Sequence, residues 1–578
     1  MQEDNRPKTA LVWHHWQAHA SERPETPAVV YYRFGQEPRV WTWGKLWERA
    51  GEIAANLVYA GVGTGDVCAT IMHQDFEFFP LYLAIVRAGA IPTILAYPNP
   101  RLHSEKFRQG LEGMLTRSGF DWILTTSSLQ PQLAEMFSSA SDRFKGIILP
   151  HGLEQASGRP PLPTIVDPAA PCLIQHSSGT TGLQKPVALS HDAVLNHMDR
   201  LARAIDLSHH DQIVSWLPLY HDMGLIAAFH LPLFFGIPIV QLDPFEWVKA
   251  PFLLPQAISE TKATLCWLPN FSYNFMAERV DDETMEGIRL DSVRMLINCS
   301  EPVHEESHQR FLRRFAKYGF RSSALGASYA MAETTFAVTQ TKPGLRARAL
   351  VANRQALASG RFEEANPDAT GARICTSSGS VIDGCALVIT DPDGSTCGDG
   401  HVGEVLVTSD SLFSGYRNRP EETSAVLHER YFSTGDLAFT WKGELYVVGR
   451  KKDIIIVAGK NLYPQDIEAA VETVNGIIAG RVAAFDIENE RVGTGDVCVI
   501  AETNATSGEE LRRIRKDILL AGMSIDVTIN RVELVKPRTL VKSSSGKIAR
   551  STNRDRLLSG LIDPAGRSSD VDVAARGT

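Results

Sequence analysis

Cysteine is scarce in this sequence, and its few cysteines are widely separated. Eight occur along 578 residues, without a Cys-x-x-Cys pair. Because structural zinc sites use closely spaced cysteine and histidine ligands, this spacing argues against a zinc ribbon or zinc finger. We expect reduced, buried thiols.

Long apolar runs are also missing. The longest run, Leu225 to Val240, is interrupted by His230, Pro232 and Gly236, and it is shorter than the roughly 20 residues that a membrane helix needs. We interpret it as a buried helix followed by a strand. The polar residues Met1 to Ala10 lack the apolar centre of a secretory signal, so we expect a cytoplasmic protein.

Positive charge is not in excess. The formal net charge is −9 and the isoelectric point is near 6.0. A basic face for a polyanion is therefore absent, and we expect no nucleic-acid partner. With 44% hydrophobic and 22% charged residues, the composition is typical of a globular protein. The length predicts a large domain and at least one smaller domain.

The region from Leu11 to about Ile174 alternates helical periodicity with short β-branched runs. Strands are predicted at Val67 to Met72, Ile91 to Ala96 and Trp122 to Thr126, and a helix at Trp43 to Ala60. This alternation predicts an α/β fold in which helices cover a mostly parallel sheet.

Later segments of the sequence predict a β-rich subdomain and a second, smaller domain. Glycine-rich turns and short strands from Gly379 to Tyr416 indicate a β-rich subdomain. The basic turn after Gly449 is a plausible hinge, which predicts a large domain over residues 1–449 and a small α+β domain over residues 450–578. The tail from about Ser559 is rich in Gly, Ser, Asp and Arg, and we expect it to be disordered.

A loop of small hydroxyl residues and glycines carries the sharpest chemical signal. It comprises Ser177, Ser178, Gly179, Thr180, Thr181 and Gly182, and Lys185 follows. Such a loop can expose backbone N–H groups to phosphates, and the lysine adds a positive charge. No Lys-Ser or Lys-Thr follows the second glycine, so it differs from the Walker A motif. Taken alone, the loop could equally be an ordinary surface turn.

Together with later motifs, this loop resembles the phosphate-binding motif of the adenylate-forming superfamily. That superfamily includes acyl-CoA synthetases, luciferases and the adenylation domains of peptide synthetases. Its motifs occur in the same order over roughly residues 11 to 555. The resemblance implies a large domain of mostly parallel sheets, a small mobile domain, and ATP and Mg²⁺ as reactants. It also implies that a carboxylic acid is converted to acyl-AMP with release of pyrophosphate.

Two matching segments imply a pocket for the base and the metal. Asn298 to Pro302 resembles the turn at the adenine edge, which assigns Ser300 and Glu301 to the nucleotide site. Tyr329 resembles the aromatic residue that stacks on adenine, and Glu333 the carboxylate that holds Mg²⁺. Taken singly, Tyr329 would be read as a core aromatic and Glu333 as a solvated helix carboxylate.

Four more residues are assigned by the same resemblance. Asp436 matches the aspartate that accepts hydrogen bonds from the ribose hydroxyls, and Arg450 matches its partner. Lys547 matches the catalytic lysine of the C-terminal loop, which bridges the acyl carboxylate and the α-phosphate. Lys452 matches the hinge about which the small domain swings.

Longer segments resemble one branch, the fatty acyl-AMP ligases. These are Ser215 to Leu225, Pro269 to Tyr273 and Asn461 to Glu468. Val351 to Arg361 resembles the insertion that disfavours coenzyme A in that branch; an unrelated surface elaboration is the alternative. The resemblance implies transfer of the acyl group to the phosphopantetheine thiol of an acyl carrier protein.

The same branch implies an acyl pocket and its gate, formed by His221, Met223, Asn270, Ala330 and Met331. His221 could instead be a metal ligand or a general base, but adenylation needs no base because a carboxylate is already ionised at neutral pH. Ala330 stands where most members have glycine, and its methyl group could shorten or redirect the acyl chain.

Two other functions compete with this interpretation. An acyl-CoA synthetase would share the first half-reaction and use free coenzyme A. A non-catalytic nucleotide-binding protein would keep the fold alone, but the joint presence of Lys185, Glu333, Asp436, Arg450 and Lys547 argues against it.

Overall fold

The computed structural model describes most of the chain. The described residues are 10–97, 111, 113–114, 119–137, 143–150, 166–177, 184–369, 371–429, 431–457, 460–489, 494–543, 546–562 and 565. Residues 178–182 of the predicted phosphate loop, and most of the tail predicted to be disordered, lie outside them.

The first large sheet has seven strands and confirms the predicted α/β pattern near the N-terminus. In spatial order the strands are β20 (Gly415–Tyr416), β8 (Pro186–Ser190), β7 (Pro171–His176), β4 (Ile91–Ile94), β3 (Val67–Ile71), β5 (Trp122–Thr125) and β6 (Gly146–Ile148). The neighbouring strands from β4 to β6 run parallel to one another, and β7 runs parallel to β4.

The second large sheet has nine strands, of which the central ones are parallel. Several of the site residues described below lie at the C-terminal ends of its strands. In spatial order the strands are β17 (Ser380–Val381), β14 (Ala337–Gln340), β13 (Leu325–Ala330), β12 (Met295–Asn298), β11 (Leu265–Leu268), β9 (Ile213–Ser215), β10 (Ile239–Leu242), β1 (Pro27–Tyr32) and β2 (Arg39–Thr42).

Helices cover both sheets. The predicted helix spans Trp43–Tyr59, buries Leu46, Ala50 and Ile53, and is followed by Gly61 at φ +101°. Left-handed backbone of this kind favours glycine because it has no Cβ. Other α-helices of this region are Val12–Glu22, Phe78–Arg87, Gln130–Met136, His191–Ala204, Pro244–Lys249, Leu253–Thr261, Asn270–Arg279, Glu305–Phe315, Arg354–Ala358 and Pro420–Ser424.

The longest apolar stretch forms a buried helix and then a strand, as predicted. It begins as a π-helix over Met223–His230, continues as an α-helix over Leu231–Phe235, and ends in β10. The π-helix was not predicted; such turns are rare and are often found at functional sites. No helix among the described residues is long and apolar enough to cross a membrane.

The predicted β-rich region, Gly379 to Tyr416, contributes two strands to a four-stranded antiparallel sheet, and the other two strands come from residues after it. Its strands, in spatial order, are β18 (Cys385–Thr390), β19 (Gly403–Ser409), β21 (Phe432–Trp441) and β22 (Glu444–Arg450). Beside it, β15 (Ala349–Asn353) and β16 (Ala372–Thr376) form a two-stranded sheet that includes part of the predicted insertion.

Residues after Arg450 pack around a separate core that includes Ile467, Val471, Val499 and Ile514. Their strands are β23 (Ile455–Val457), β24 (Lys460–Leu462), β25 (Ile477–Asn489), β26 (Thr494–Thr503) and β27 (Arg531–Val535), and their helices are Pro464–Glu472, Gly508–Ser524 and Arg550–Leu558. All eight cysteines are free thiols; six are buried, and Cys385 and Cys397 are partly buried.

Asp466 joins the regions before and after the predicted domain boundary. Its carboxylate lies 2.7 Å from Nη1 of Arg354 and 3.1 Å from Nε of Arg373. The Arg354, Arg373 and Asp466 side chains are 18%, 11% and 14% exposed, so solvent screens these pairs only weakly.

We expect Asp466→Asn to lower the free energy of unfolding by about 1.5–3 kcal/mol, because Arg354 loses a charged hydrogen-bond acceptor and Arg373 loses its ion-pair partner. Urea denaturation followed by circular dichroism measures this change. Asp517→Asn is the matched control, since the ion pair of Asp517 with Arg513 is more exposed and is worth only about 0.3–0.5 kcal/mol. Equal losses in the two variants would contradict the expectation.

Candidate active site

Three predicted site residues meet directly where β13 faces the antiparallel sheet. The Tyr329 hydroxyl donates to Oδ2 of Asp436 at 2.6 Å, and Nε of Arg450 donates to Oδ1 at 2.7 Å. Asp436 on β21 lies opposite Arg450 on β22, so the strand register brings the pair together. Asp436 is only 5% exposed. This places a buried carboxylate between a phenol and a guanidinium group.

Each group of this cluster stabilises the protonation state of its neighbours. The Asp436 carboxylate raises the pKa of Arg450 above its usual range. Burial raises the pKa of the Tyr329 hydroxyl, and the charge of Asp436 raises it further. Tyr329 therefore remains a neutral donor, and Arg450 remains a cation that compensates the buried carboxylate.

Glu333 lies shortly after β13, on a short 3₁₀ helix, Ala332–Thr334. Its Oε1 accepts a hydrogen bond from the Tyr416 hydroxyl at 2.8 Å. Burial raises the pKa of Glu333, whereas the hydrogen bond from Tyr416 and the charge of Arg450 lower it. Glu333 is thus a largely desolvated carboxylate close to the Asp436–Arg450 pair.

The donor set around Glu333 fits a magnesium ion shared with phosphates. Among the described residues there is no group of three or more His, Cys, Asp and Glu side chains that could enclose a metal. Mg²⁺ is commonly held by one or two carboxylates together with substrate phosphates, and a single hard, partly buried carboxylate is suited to this arrangement.

Lys547 reaches the cluster from the C-terminal region. Burial lowers its pKa, and the positive charge of Arg450 acts in the same direction. The carboxylates of Glu301, Asp222 and Asp436 act oppositely and favour the charged ammonium group. Lys547 is therefore within electrostatic reach of all four groups.

The loop before Lys547 is closed by its own backbone. The Ser543 N–H donates to the Lys547 carbonyl at 2.7 Å, and the Lys547 N–H donates to Oγ of Ser543 at 3.2 Å. Gly546 lies at φ +83°, a conformation that favours glycine. The two ends of the predicted Ser-Gly-Lys loop, Ser543 and Lys547, are therefore held together, while Ser544 and Ser545 lie outside the described residues.

The predicted adenine-edge turn follows β12. Ser300 has φ +68°, and its Oγ lies 3.8 Å from Sδ of Met223 at the start of the π-helix. Oε2 of Glu301 accepts the Phe271 N–H at 2.9 Å. Burial raises the pKa of Glu301, and Lys547 is among the groups that lower it. This turn therefore faces both the π-helix and the catalytic-lysine candidate.

The residues that border the predicted phosphate loop, and the predicted hinge residue Lys452, belong to the same region as Arg450. The Ser177 N–H donates to the Lys185 carbonyl at 2.9 Å, so the ends of the loop meet, although Ser178 to Gly182 lie outside the described residues. Burial lowers the pKa of Lys452, and the charges of Arg450 and Lys185 lower it further. Lys452 is therefore near both cations.

The five predicted acyl-pocket residues differ in burial and in their contacts. Met223 is buried, and His221, Ala330 and Met331 are partly buried at the ends of the neighbouring elements. Asn270 is buried in a polar network in which its side chain donates to Ser307 and accepts from Asn298 and the His304 N–H. These contacts orient the start of the helix Asn270–Arg279, and a contact with the acyl chain stays a prediction for all five.

Two site residues were not predicted. Tyr416 binds Glu333, and Asp222 lies beside Lys547 as a carboxylate whose pKa is raised by burial. The position of Asp222 next to His221 offered a signal for it. Tyr416 gave only the weak signal of an aromatic residue after a glycine-rich turn, because its contact is 83 positions away in sequence.

Comparison with known proteins adds an independent result. Residues 16–417 match the AMP-binding enzyme family. The medium-chain fatty acid–[acyl-carrier-protein] ligase JamA of Moorena producens is 31% identical, with 90% of each chain covered. A Caulobacter vibrioides protein, provisionally named an acyl-CoA synthetase, is 30% identical, with 93% of each chain covered.

A solved structure extends this similarity to three dimensions. The fatty acyl-adenylate ligase of L. pneumophila, in complex with acyl adenylate and pyrophosphate, superposes with a TM-score of 0.71 at 28% identity. The alignment covers 95% of this chain and 96% of that chain.

Proposed function

Because this chain belongs to the AMP-binding enzyme family, we propose that it joins a fatty acid to AMP and transfers the acyl group to a carrier-protein thiol. The observation that carries the proposal is the hydrogen-bonded group of Tyr329, Asp436 and Arg450, in which the charge of Arg450 also acts on Glu333 and Lys547. ATP is the substrate of this family, and we propose that the reaction takes place in the cytoplasm.

In the first half-reaction, an oxygen of the fatty-acid carboxylate attacks the α-phosphorus of ATP. The new bond joins that oxygen to phosphorus, the bond between the α-phosphorus and its bridging oxygen breaks, and pyrophosphate leaves. Lys547 neutralises the charge that builds up on the α-phosphate and the carboxylate. Since the carboxylate is already ionised, no residue has to remove a proton.

Binding and orientation of the nucleotide are assigned to the other residues. Asp436 accepts from the ribose hydroxyls, supported by Arg450, and Tyr329 packs against adenine beside Ser300 and Glu301. A magnesium ion held by Glu333 would neutralise phosphate charge. Ser177 to Gly182 and Lys185 contact the phosphates.

In the second half-reaction, the thiol sulfur attacks the acyl carbonyl carbon, and AMP leaves as the thioester forms. We propose that residues 1–449 bind the adenylate and that residues 450–578 move about Lys452 between the two steps. A carrier-protein acceptor is supported by the similarity to JamA and by the sequence segments typical of fatty acyl-AMP ligases. His221, Met223, Asn270, Ala330 and Met331 are assigned to the acyl pocket.

Coenzyme A is the second candidate acceptor, favoured by the relative that is provisionally named an acyl-CoA synthetase. We expect efficient loading of a phosphopantetheinylated carrier protein and much slower formation of acyl-CoA. Mass spectrometry of both products, after incubation with a panel of fatty acids, tests acceptor and chain length together. Equal or faster transfer to coenzyme A would replace the carrier-protein proposal, while absence of fatty-acid-dependent pyrophosphate exchange would contradict adenylation itself.

A further inference from the structure

Tyr416 connects two residues of the proposed site that come from different parts of the fold. Its hydroxyl donates to Oε1 of Glu333 at 2.8 Å. The ammonium nitrogen of Lys185 lies 4.5 Å from the centre of its ring, within the range of a cation–π interaction. One side chain therefore touches both the proposed magnesium ligand and the lysine at the end of the phosphate loop.

The backbone around Tyr416 holds this position from both sides. Strand β20 pairs with β8, which begins directly after Lys185, and Tyr416 lies opposite Val187. Three residues before Tyr416, the Phe413 N–H donates to the Glu333 carbonyl at 2.8 Å. The segment 413–416 is thus bonded to the elements that carry Lys185 and Glu333.

Ring packing limits the freedom of the tyrosine. Tyr416 is 5% exposed, and its ring lies 4.9 Å from the Phe413 ring between centroids. Burial raises the pKa of the Tyr416 hydroxyl, and the charge of Glu333 raises it further, so the group remains a donor. A neutral donor in a fixed place favours the ionised form of the carboxylate that it faces.

We propose that Tyr416 is a positioning residue, which orients Glu333 for magnesium through its hydroxyl while its ring holds Lys185 at the end of the phosphate loop. This inference rests on the proposed function. In this role one side chain sets the distance between Glu333, the proposed metal ligand, and Lys185, at the end of the phosphate loop. Tyr416 acts through these two residues and is not assigned a contact with the reacting atoms.

Tyr416→Phe tests the hydroxyl alone, because the ring and its packing remain. Without this hydrogen bond the Glu333 carboxylate loses the contact that fixes its orientation. Loss of a residue that hydrogen-bonds to a metal ligand typically lowers the metal affinity by about 10–100-fold. We therefore expect the Mg²⁺ concentration for half-maximal exchange to rise by that factor. The KM for the fatty acid should stay close to the wild-type value, since the lost hydrogen bond supports the magnesium ligand and not the acyl pocket.

A second measurement does not depend on activity. Mn²⁺, a paramagnetic substitute for Mg²⁺, is titrated into the enzyme with a non-hydrolysable ATP analogue, and its binding is followed by electron paramagnetic resonance. In Tyr416→Phe the affinity for Mn²⁺ should fall by about 10–100-fold relative to the wild type. Tyr446→Phe is the matched control, because Tyr446 is also buried and donates to a glutamate, Glu444 at 3.2 Å, in the neighbouring sheet.

Tyr416→Leu tests the ring as well. We expect a further increase of about 2–30-fold in the KM for ATP relative to Tyr416→Phe, from loss of the cation–π contact with Lys185. The proposal is overturned if Tyr416→Phe leaves both the Mn²⁺ affinity and the Mg²⁺ requirement unchanged, or if Tyr446→Phe shifts them equally. Failure of the wild type to exchange pyrophosphate would contradict the proposed function, whereas the Mn²⁺ titration would still decide whether Tyr416 positions Glu333.

Discussion

Replacing Lys547 with alanine is expected to lower fatty-acid-dependent pyrophosphate exchange by about 10²–10³-fold, the loss found when a preorganised group that stabilises transition-state charge is removed. Lys547 lies among Glu301, Asp222 and Asp436, whose charges favour its ammonium form, although burial lowers its pKa. No other residue is assigned to the α-phosphate and the acyl carboxylate together.

Binding of ATP should change little in Lys547→Ala, because Tyr329, Asp436 and Arg450 keep their mutual hydrogen bonds. Calorimetric titration with a non-hydrolysable ATP analogue separates binding from chemistry. Lys451→Ala is the matched control, since Lys451 is 65% exposed and pairs with Glu404 on the surface. Wild-type exchange in Lys547→Ala would show that the role assigned to Lys547 is wrong.

Glu333→Gln is expected to lower exchange by a similar factor of about 10²–10³, because a neutral amide is a poor ligand for Mg²⁺ and cannot balance the charge of the metal–phosphate group. The glutamine has nearly the same shape and can still accept a hydrogen bond from Tyr416. The loss of activity would therefore report the missing charge rather than a disrupted core.

The same substitution should make the ligand-free protein more stable at neutral pH. Burial raises the pKa of Glu333 in the folded state, so its ionised form is disfavoured there relative to the unfolded chain. The advantage of glutamine is present above the ordinary pKa of glutamic acid and disappears as the pH falls below it, where Glu333 is protonated in both states. Thermal unfolding at neutral and acidic pH measures this difference.

Glu444→Gln provides the control for both effects, because Glu444 also accepts a hydrogen bond from a buried tyrosine, Tyr446, in the neighbouring sheet. It should retain exchange activity. Lower stability of Glu333→Gln at neutral pH, or unchanged exchange, would contradict the assignment of Glu333 as a desolvated metal ligand.

Local patterns predicted many parts of the fold. The spacing of Leu46, Ala50 and Ile53 marks one face of a helix, and that helix ends before Gly61 as expected. The β-branched runs near residues 67, 91 and 122 became adjacent parallel strands. These successes reflect short-range effects, because helical periodicity, strand alternation and glycine turns depend on neighbouring residues.

The pairing of distant segments could not be predicted from these local patterns. Neither periodicity nor composition indicates that Tyr416 would reach Glu333, or that Asp466 would pair with Arg354 and Arg373. The π-helix over Met223–His230 was missed for a related reason, since the apolar pattern of a buried helix does not distinguish α from π hydrogen bonding.

The order of residues along the chain was enough to identify the adenylate-forming motifs and the kind of group that each one contributes, because side-chain chemistry is a local property. Folding alone established which of these groups lie next to one another. Strand register placed Asp436 opposite Arg450, the pairing of β20 with β8 brought Tyr416 to Lys185, and packing of the C-terminal region brought Lys547 to the carboxylates. Such contacts depend on non-local hydrogen bonds and burial, which exist only after distant segments have met.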